Sequence, residues 1–400
     1  EWTMFLNFIG LVSGGGVALL GSLFLSGHLG VEGYGVVTGL FSFTTLLSAI
    51  CSRGQQGVIL SLSPGVSKAT IKKALIKTAF LLILCSAALL INYAIYTDNN
   101  ASLLLILIPF IILGVLTQIL IGINQANSKL TYLGLYQSLP SLGRSLPAIF
   151  LLLAFFLSGY QLTIDNYFLL TLVVTSLVLA AIFIILRKEY SKANQGETSV
   201  HNNAVKRESY FWATSVLSSS YVSLIAPIIL FMWGEFSAGI FGIYILFWNV
   251  TNIAISAIYN NHLLPNFANI RHDPDKTSNY IKSCLKITIA TSFAIAITCI
   301  TLFYICIQYI WPAEYKEHQL FFLLALTSLV IRPFSARLGL PFNFSNLIHT
   351  KTKIQIASLS VLIVGSTLLS LTKNHNLLAL TIVLSELVVL FLYAHNKKRT

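Results

Sequence analysis

Runs of about twenty apolar positions, separated by short polar breaks, recur from one end of the chain to the other. Twelve can be delimited: 4–26, 34–60, 75–97, 102–123, 133–158, 166–187, 210–233, 238–264, 281–311, 319–342, 354–372 and 376–395. A helix rises 1.5 Å per residue, so about twenty residues cross a hydrocarbon core of ~30 Å. Each run therefore predicts a membrane-spanning helix. The breaks hold helix-ending residues, such as TDNN at 97–100, NQANSK at 124–129 and TKNHN at 372–376. A signal peptide does not account for runs that continue to the far end of the chain. The expected fold is an all-α integral membrane protein with twelve transmembrane helices.

Composition agrees with that pattern. Of 400 residues, 56% are hydrophobic and only 10% charged, with a mean hydropathy of +0.80, whereas soluble domains carry about 25% charged residues. A net charge of +12 would point to nucleic acid in a soluble chain. Here the charge has another meaning, because twenty of the 25 Lys and Arg fall in one set of loops and flanks. The opposite set holds only Lys316 and Lys373. Positive residues stay on the cytoplasmic side of a membrane helix, so the rich set and both termini are expected there, as an even number of spans requires. No nucleic-acid partner is expected. The chain begins at Glu1 rather than Met, so a few further residues are expected before it.

The longest polar stretch, 187–209, lies at mid-chain on the expected cytoplasmic side. It reads as a linker between an N-terminal six-helix lobe, 1–196, and a C-terminal one, 197–400. Loops on the opposite side are short, leaving no room for an outer domain. No GxxxxGK[ST] phosphate loop is present, so ATP hydrolysis by that route is excluded. Five cysteines are scattered through apolar runs with no CxxC spacing. They predict neither a disulfide framework nor a metal site.

The halves repeat. EGYGVVTGLFSFTTLLSAICSRG (32–54) aligns without gaps on GIFGIYILFWNVTNIAISAIYNN (239–261), placing Gly35 on Gly242, Tyr34 on Phe241 and Thr44 on Thr251. Both stretches open the second run of their half. A parallel repeat of this kind predicts two pseudo-symmetric bundles around a central cavity, an arrangement transporters use for alternating access.

Residues 24–62, FLSGHLGVEGYGVVTGLFSFTTLLSAICSRGQQGVILSL, resemble the first helical hairpin of polysaccharide exporters. These are the Wzx-type O-antigen flippases of the multidrug/oligosaccharidyl-lipid/polysaccharide (MOP) superfamily. The resemblance rests on the LG-x-x-x-[YF]-G turn into the second helix. In the second half, SAGIFGIYILFWNVTNIAISAIYNNHLLPNF (237–267) is similar to the family's G-x-[YF] entry into the eighth helix, with Pro265 at its inner end. The resemblance covers the whole chain in topology and these two stretches in motif. It implies a MATE-like pair of bundles in a bacterial inner membrane. It also implies that undecaprenyl-pyrophosphate-linked oligosaccharide is flipped from inner to outer leaflet, for O-antigen or another polysaccharide. The lipid-linked oligosaccharide and membrane lipids are then the partners, with a polysaccharide polymerase and chain-length regulator acting beyond them. No cofactor is implied; H+ or Na+ remains open as a coupling ion.

Charges within the runs test that implication. An Arg near a helix centre costs roughly 2.5–3.5 kcal/mol on insertion scales, so such residues face cavities and mark pathways. Arg144 lies about 16 Å into its run by helix rise, and Arg332 lies near the middle of another. Arg337 is one turn nearer the cytoplasm, where it can also snorkel, and Arg53 ends the second run, where it also reads as a cytoplasmic flank. The only carboxylate deep in a run is Glu386, which reads either as a coupling site or as the structural partner of Arg332. The surplus of cations suits an anion such as pyrophosphate, which a guanidinium fork grips through two oxygens. Gln118, Asn124, Asn249, Asn252 and Asn260 could line a polar cavity or bond neighbouring helices. Pro109, Pro140, Pro147, Pro227 and Pro341 mark candidate kinks.

Four functions compete. A lipid-linked oligosaccharide flippase accounts for the repeat, the motif stretches and the cations. A multidrug cation antiporter of the same superfamily would want carboxylates, which the first half's runs lack. An O-antigen polymerase or ligase would need a large outer loop. A major-facilitator transporter would carry a basic loop motif not evident in SLSPGVSKATIKKA (61–74). The flippase is the expectation, and the protein is not read as an enzyme.

Overall fold

The computed structural model describes residues 2–61, 66–95, 99–127, 133–159, 162–193, 208–270, 274–343 and 347–396. Side-chain surroundings are described from Gly14 onward, apart from 60–61, 92–95, 99–102, 208, 260–262, 265, 268–269 and 274. Among the described residues the chain is helical and contains no strand. Ten helices among the described residues are long and apolar enough to cross a membrane, and one bent pair adds an eleventh. The run at 4–26 falls on the first helix, Trp2–His28, and much of its side-chain detail lies outside the described residues. The protein is a multi-pass, all-α membrane protein.

The chain forms two compact units: Glu1–Leu29 with Leu40–Ser219, and Gly30–Gly39 with Ser220–Thr400. In unit 1, α1 (Trp2–His28) packs along α7 (Leu133–Ser158). Helix α2 (Gly30–Ser52) is followed by the short α3 (Gln55–Ser61), which packs on α6 (Ile108–Ala126). Helices α4 (Lys68–Ile95), α5 (Asn99–Ile106) and α8 (Ile164–Lys192) complete the unit, together with most of α9 (Glu208–Ser223). Unit 2 contains α10 (Ile225–Trp233), α11 (Glu235–Ile255), a π-helical segment (Ser256–Leu263) and α12 (Leu264–Ile270). It continues with α13 (Pro274–Tyr309), α14 (Ala313–Lys316), α15 (Gln319–Gly339), α16 (Ile348–Leu369) and α17 (His375–Asn396).

Helix ends differ from the hydropathy pattern where charge lies near an apolar run. Helices α4 and α13 begin at Lys68 and Pro274, about two turns before the runs at 75 and 281. Lysine is a good helix former, so Lys68, Lys72 and Lys73 continue the helix although they depress hydropathy. Likewise α8 runs on to Lys192, taking in the start of the expected linker, whose residues 194–207 lie outside the described ones.

Breaks fall at glycines and at one arginine. Gly30 (φ +70°) turns the chain between α1 and α2, a backbone angle that glycine adopts without a Cβ clash. Arg53 (φ 49°) and Gly54 (φ 63°) end α2, and the Arg53 amide donates to the Ile50 carbonyl. A left-handed arginine costs roughly 1–2 kcal/mol; a Cβ at Gly54 would instead meet the backbone of Phe211 and Trp212. Helices α9 and α10 are bent by 40° at Leu224, just before Pro227. Pro140 and Pro147 sit inside a continuous α7. Pro109 opens α6 and Pro341 opens a 3-10 turn after α15, while Pro333 lies within α15.

In unit 2 the start of α2 crosses α11 closely. A Cβ on Gly35 would strike the Glu235 carbonyl, and one on Gly239 would strike the Val31 carbonyl. A Cβ on Gly242 would come to 2.8 Å from Thr38 Oγ1. Gly35 and Gly242 are the glycines that the internal repeat aligns, so the repeat supplies both sides of one helix crossing.

Candidate functional site

Arg144 lies on α7 in unit 1, half-buried between the two prolines. Its guanidinium carbon stands 5.1 Å from the centre of the Phe41 ring. That ring is fixed edge-on by Phe110 at 5.0 Å and stacked on Phe168 at 5.8 Å. Tyr167 lies beside both phenyl rings and donates from its hydroxyl to the Arg144 carbonyl at 2.9 Å. Pro147 has no amide hydrogen, so it leaves the Gly143 carbonyl without its helical donor and loosens the backbone one residue from Arg144. The Arg144 Nε is buried and has no hydrogen-bond partner. No carboxylate pairs with this guanidinium among the described residues. Burying a charge without a counter-charge is costly.

Unit 2 places Arg332 differently. Its guanidinium carbon sits 3.5 Å from the centre of the Trp248 ring and 5.9 Å from that of Tyr221. Its Nη1 donates to Glu386 Oε1 at 3.0 Å, and its Nε donates to Asn252 Oδ1 at 3.2 Å. The Glu386 side chain is 3% exposed and that of Arg332 24%. Tyr221 stacks on Trp248 at 4.8 Å and hydrogen-bonds Ser385, one residue before Glu386. Tyr244, on the same helix as Trp248, pairs with Ser328 Oγ at 3.1 Å. Three helices thus supply the charges and amide: α11 gives Asn252, α15 gives Arg332 and α17 gives Glu386. A desolvated cation–π contact contributes about 2 kcal/mol, and the ion pair offsets part of the desolvation of both charges.

The other sequence candidates are dispersed. Arg337, on α15 five residues beyond Arg332, has a buried Nε without a hydrogen-bond partner and lies within electrostatic reach of Tyr259 and Cys284. Arg53 is the left-handed residue that ends α2. Asn252 joins Arg332, whereas Asn249, one turn earlier on α11, is exposed. Asn124 is buried and donates to the Leu120 carbonyl of its own helix. Gln118 is half-buried on α6. Asn260 belongs to the π-helical segment, and its side chain lies outside the described residues. π-Helical turns recur at functional sites, which makes this part of α11's continuation a second region of interest.

Sequence reasoning missed the aromatic partners: Phe41, Trp248 and Tyr221. An aromatic inside an apolar run is indistinguishable from ordinary core until its neighbours are known.

No family model and no curated protein matches the sequence. Solved structures do match, over almost the whole chain. The MATE multidrug transporter DinF-BH aligns with a TM-score of 0.68 at 12% identity, covering 98% of this chain and 94% of that one. The inward-facing conformation of a multidrug resistance MATE family transporter of the MOP superfamily gives 0.64 at 15% identity, covering 99% and 98%. A MOP superfamily transporter from Pyrococcus furiosus gives 0.61 at 15%, covering 99% and 95%; reverse polarity of its binding pocket is said to suggest a different function. The fold is that of MATE-like transporters.

Proposed function

We propose that this protein is a flippase that moves an undecaprenyl-pyrophosphate-linked oligosaccharide from the inner to the outer leaflet by alternating access. The observation that carries the reading is the uncompensated Arg144, a half-buried guanidinium with no carboxylate partner among the described residues. An anionic headgroup supplies the missing charge, and the fork of Arg144 can bond two phosphate oxygens. Arg53 and Arg337 assist the headgroup's entry. Asn249 and Gln118 offer amides to sugar hydroxyls, whereas Asn252 and Asn124 already have partners; the side chain of Asn260 lies outside the described residues. The polyprenyl tail stays in lipid. Coupling to H+ or Na+, the membrane potential, or removal of product by a polymerase supplies direction. Both termini lie in the cytoplasm on this reading.

Two multidrug transporters among the fold neighbours favour a second reading, a cation antiporter. Sign of charge separates the two. A cationic drug wants a free carboxylate, and Glu386 already holds Arg332 at 3.0 Å. The Pyrococcus furiosus neighbour, with its reversed pocket polarity, is in keeping with one fold serving substrates of either sign.

The deciding experiment is transport in proteoliposomes with two substrates, a polyprenyl-pyrophosphate glycan and a cationic dye. Glycan movement that Arg144→Ala abolishes and Arg144→Lys partly keeps is the expected result. Dye efflux without glycan movement, or full glycan transport by Arg144→Ala, would overturn the proposal.

A further inference from the structure

The gap-free register that sets Gly35 on Gly242 also sets Phe41 on Trp248. Each of these rings has a guanidinium carbon over it: Arg144 over Phe41 at 5.1 Å and Arg332 over Trp248 at 3.5 Å. The arginines themselves are not repeat-related, since Arg144 comes from the fifth run of its half and Arg332 from the fourth. Repeat-related positions of α2 and α11 therefore each carry an aromatic ring, and different helices deliver the cation to it. What surrounds each cation then differs. Arg332 has its Nη1 on Glu386 and its Nε on Asn252. Arg144 has a buried, unpartnered Nε.

A guanidinium carbon within about 6 Å of a ring centre is attracted by the ring's quadrupole, while the N–H groups along its edge stay able to bond two oxygens of an oxyanion. A carboxylate and a phosphate present nearly the same pair of oxygens to that edge. In unit 2 the edge is occupied by Glu386, supplied by the protein. In unit 1 nothing described occupies it.

We infer that Phe41 and Trp248 are repeat-related positioning residues of two copies of one oxyanion site, the unit 1 copy open to a substrate phosphate and the unit 2 copy filled from within by Glu386. The inference rests on the flippase reading for the identity of the anion. Phe41 holds the Arg144 edge in place for a pyrophosphate oxygen and limits how far the side chain can swing. The ring's own surroundings, Phe110 and Phe168, keep it from turning aside. Glu386 acts as a resident anion that keeps Arg332, whose side chain is 24% exposed, from holding the substrate at a second station.

The test is calorimetric titration of the purified full chain with inorganic pyrophosphate. The wild type is expected to bind one equivalent, and Arg144→Ala none. Phe41→Leu should weaken binding about tenfold, in line with loss of a cation–π contact. Phe41→Trp, which installs the ring found at the repeat-related position, should restore affinity to within about threefold. The introduced indole should change its fluorescence on adding pyrophosphate, and should not do so in an Arg144→Ala background. Glu386→Gln should add a second equivalent, which Trp248→Leu then removes. Because Glu386→Gln can reduce the yield of folded protein, the Phe41 variants carry the test by themselves. Wild-type affinity in Phe41→Leu, or an unresponsive indole in Phe41→Trp, would overturn the inference. A second series in nanodiscs holding a polyprenyl pyrophosphate separates the two readings. The lipid headgroup should compete with inorganic pyrophosphate; absence of competition would sink the flippase reading while leaving the oxyanion site in place. A wild type that binds no pyrophosphate would remove both.

Discussion

At the scale of single residues, the energetics of Arg332 and Glu386 are lopsided. Removing one member of a buried pair strands the other and costs about 3–5 kcal/mol, whereas replacing both by apolar residues of similar volume is often neutral. Glu386→Ala should therefore lower the stability of the detergent-solubilised protein by about 3 kcal/mol. The double variant Arg332→Met/Glu386→Leu should recover most of that loss; chemical or thermal unfolding reads both. Tyr167→Phe gives a smaller change, about 1 kcal/mol, because it removes one hydrogen bond to the Arg144 carbonyl and keeps the ring beside Phe41. If Glu386→Ala unfolds like the wild type, the pair is not held as described.

At the scale of elements, the crossing of α2 on α11 depends on missing side chains. A methyl at Gly35 would press on the Glu235 carbonyl, which cannot swing away as a side-chain tip could. Gly35→Ala should cost about 1–3 kcal/mol through overpacking. Gly16→Ala on α1, where nothing lies within 4 Å, should be neutral or stabilising by up to about 1 kcal/mol through helix propensity. Equal midpoints for the two variants would argue against the crossing. The turn from α14 into α15 carries a pH dependence. Burial holds the His318 imidazole below its ordinary value, an effect that Glu317 partly offsets. Its ring packs edge-on to His375 at 4.6 Å and to Phe236 at 5.7 Å, a poor place for a second charge. The unfolded chain therefore takes up this proton first. His318's contribution to stability is complete above the ordinary histidine value, about 6.5, and fades as pH falls through the lower folded one. Thermal midpoints measured from pH 7.5 to 5 should fall, and His318→Phe should flatten part of that slope.

At the scale of the molecule, the bias of Lys and Arg between alternate loops makes a topological prediction. A fluorescent reporter inserted after Lys192 should light up in the cytoplasm. Alkaline phosphatase inserted after Lys373 should be active outside it. The opposite pair of results would invert the orientation, and with it the direction proposed for transport. The likeness to MATE and MOP superfamily transporter structures holds over nearly the whole chain at TM-scores of 0.61–0.68, although identity is only 12–15%. One topology is thus shared by chains whose side chains differ at most positions, which is why the substrate has to be read from particular residues rather than from the fold.

The sequence alone determined the helices, their order, their orientation bias and the short roll of charges that could matter inside a membrane. Those properties are local: hydropathy summed over twenty residues outweighs any single position, and a cation in an apolar run is conspicuous wherever it falls. Helix ends were less legible, since Lys68–Lys73 and Arg187–Lys192 are polar yet helical. The sequence placed Glu386 and Arg332 at similar depth without deciding between a coupling site and a pair. Only tertiary structure decided which cation is answered and which is not. Glu386 lies 54 residues from Arg332 in the chain yet 3.0 Å from it in space, and Phe41 reaches Arg144 from a different helix. Such pairings depend on how helices rotate about their own axes and cross, a matter of packing among apolar faces, and helical periodicity along one segment carries no record of the partner it will meet.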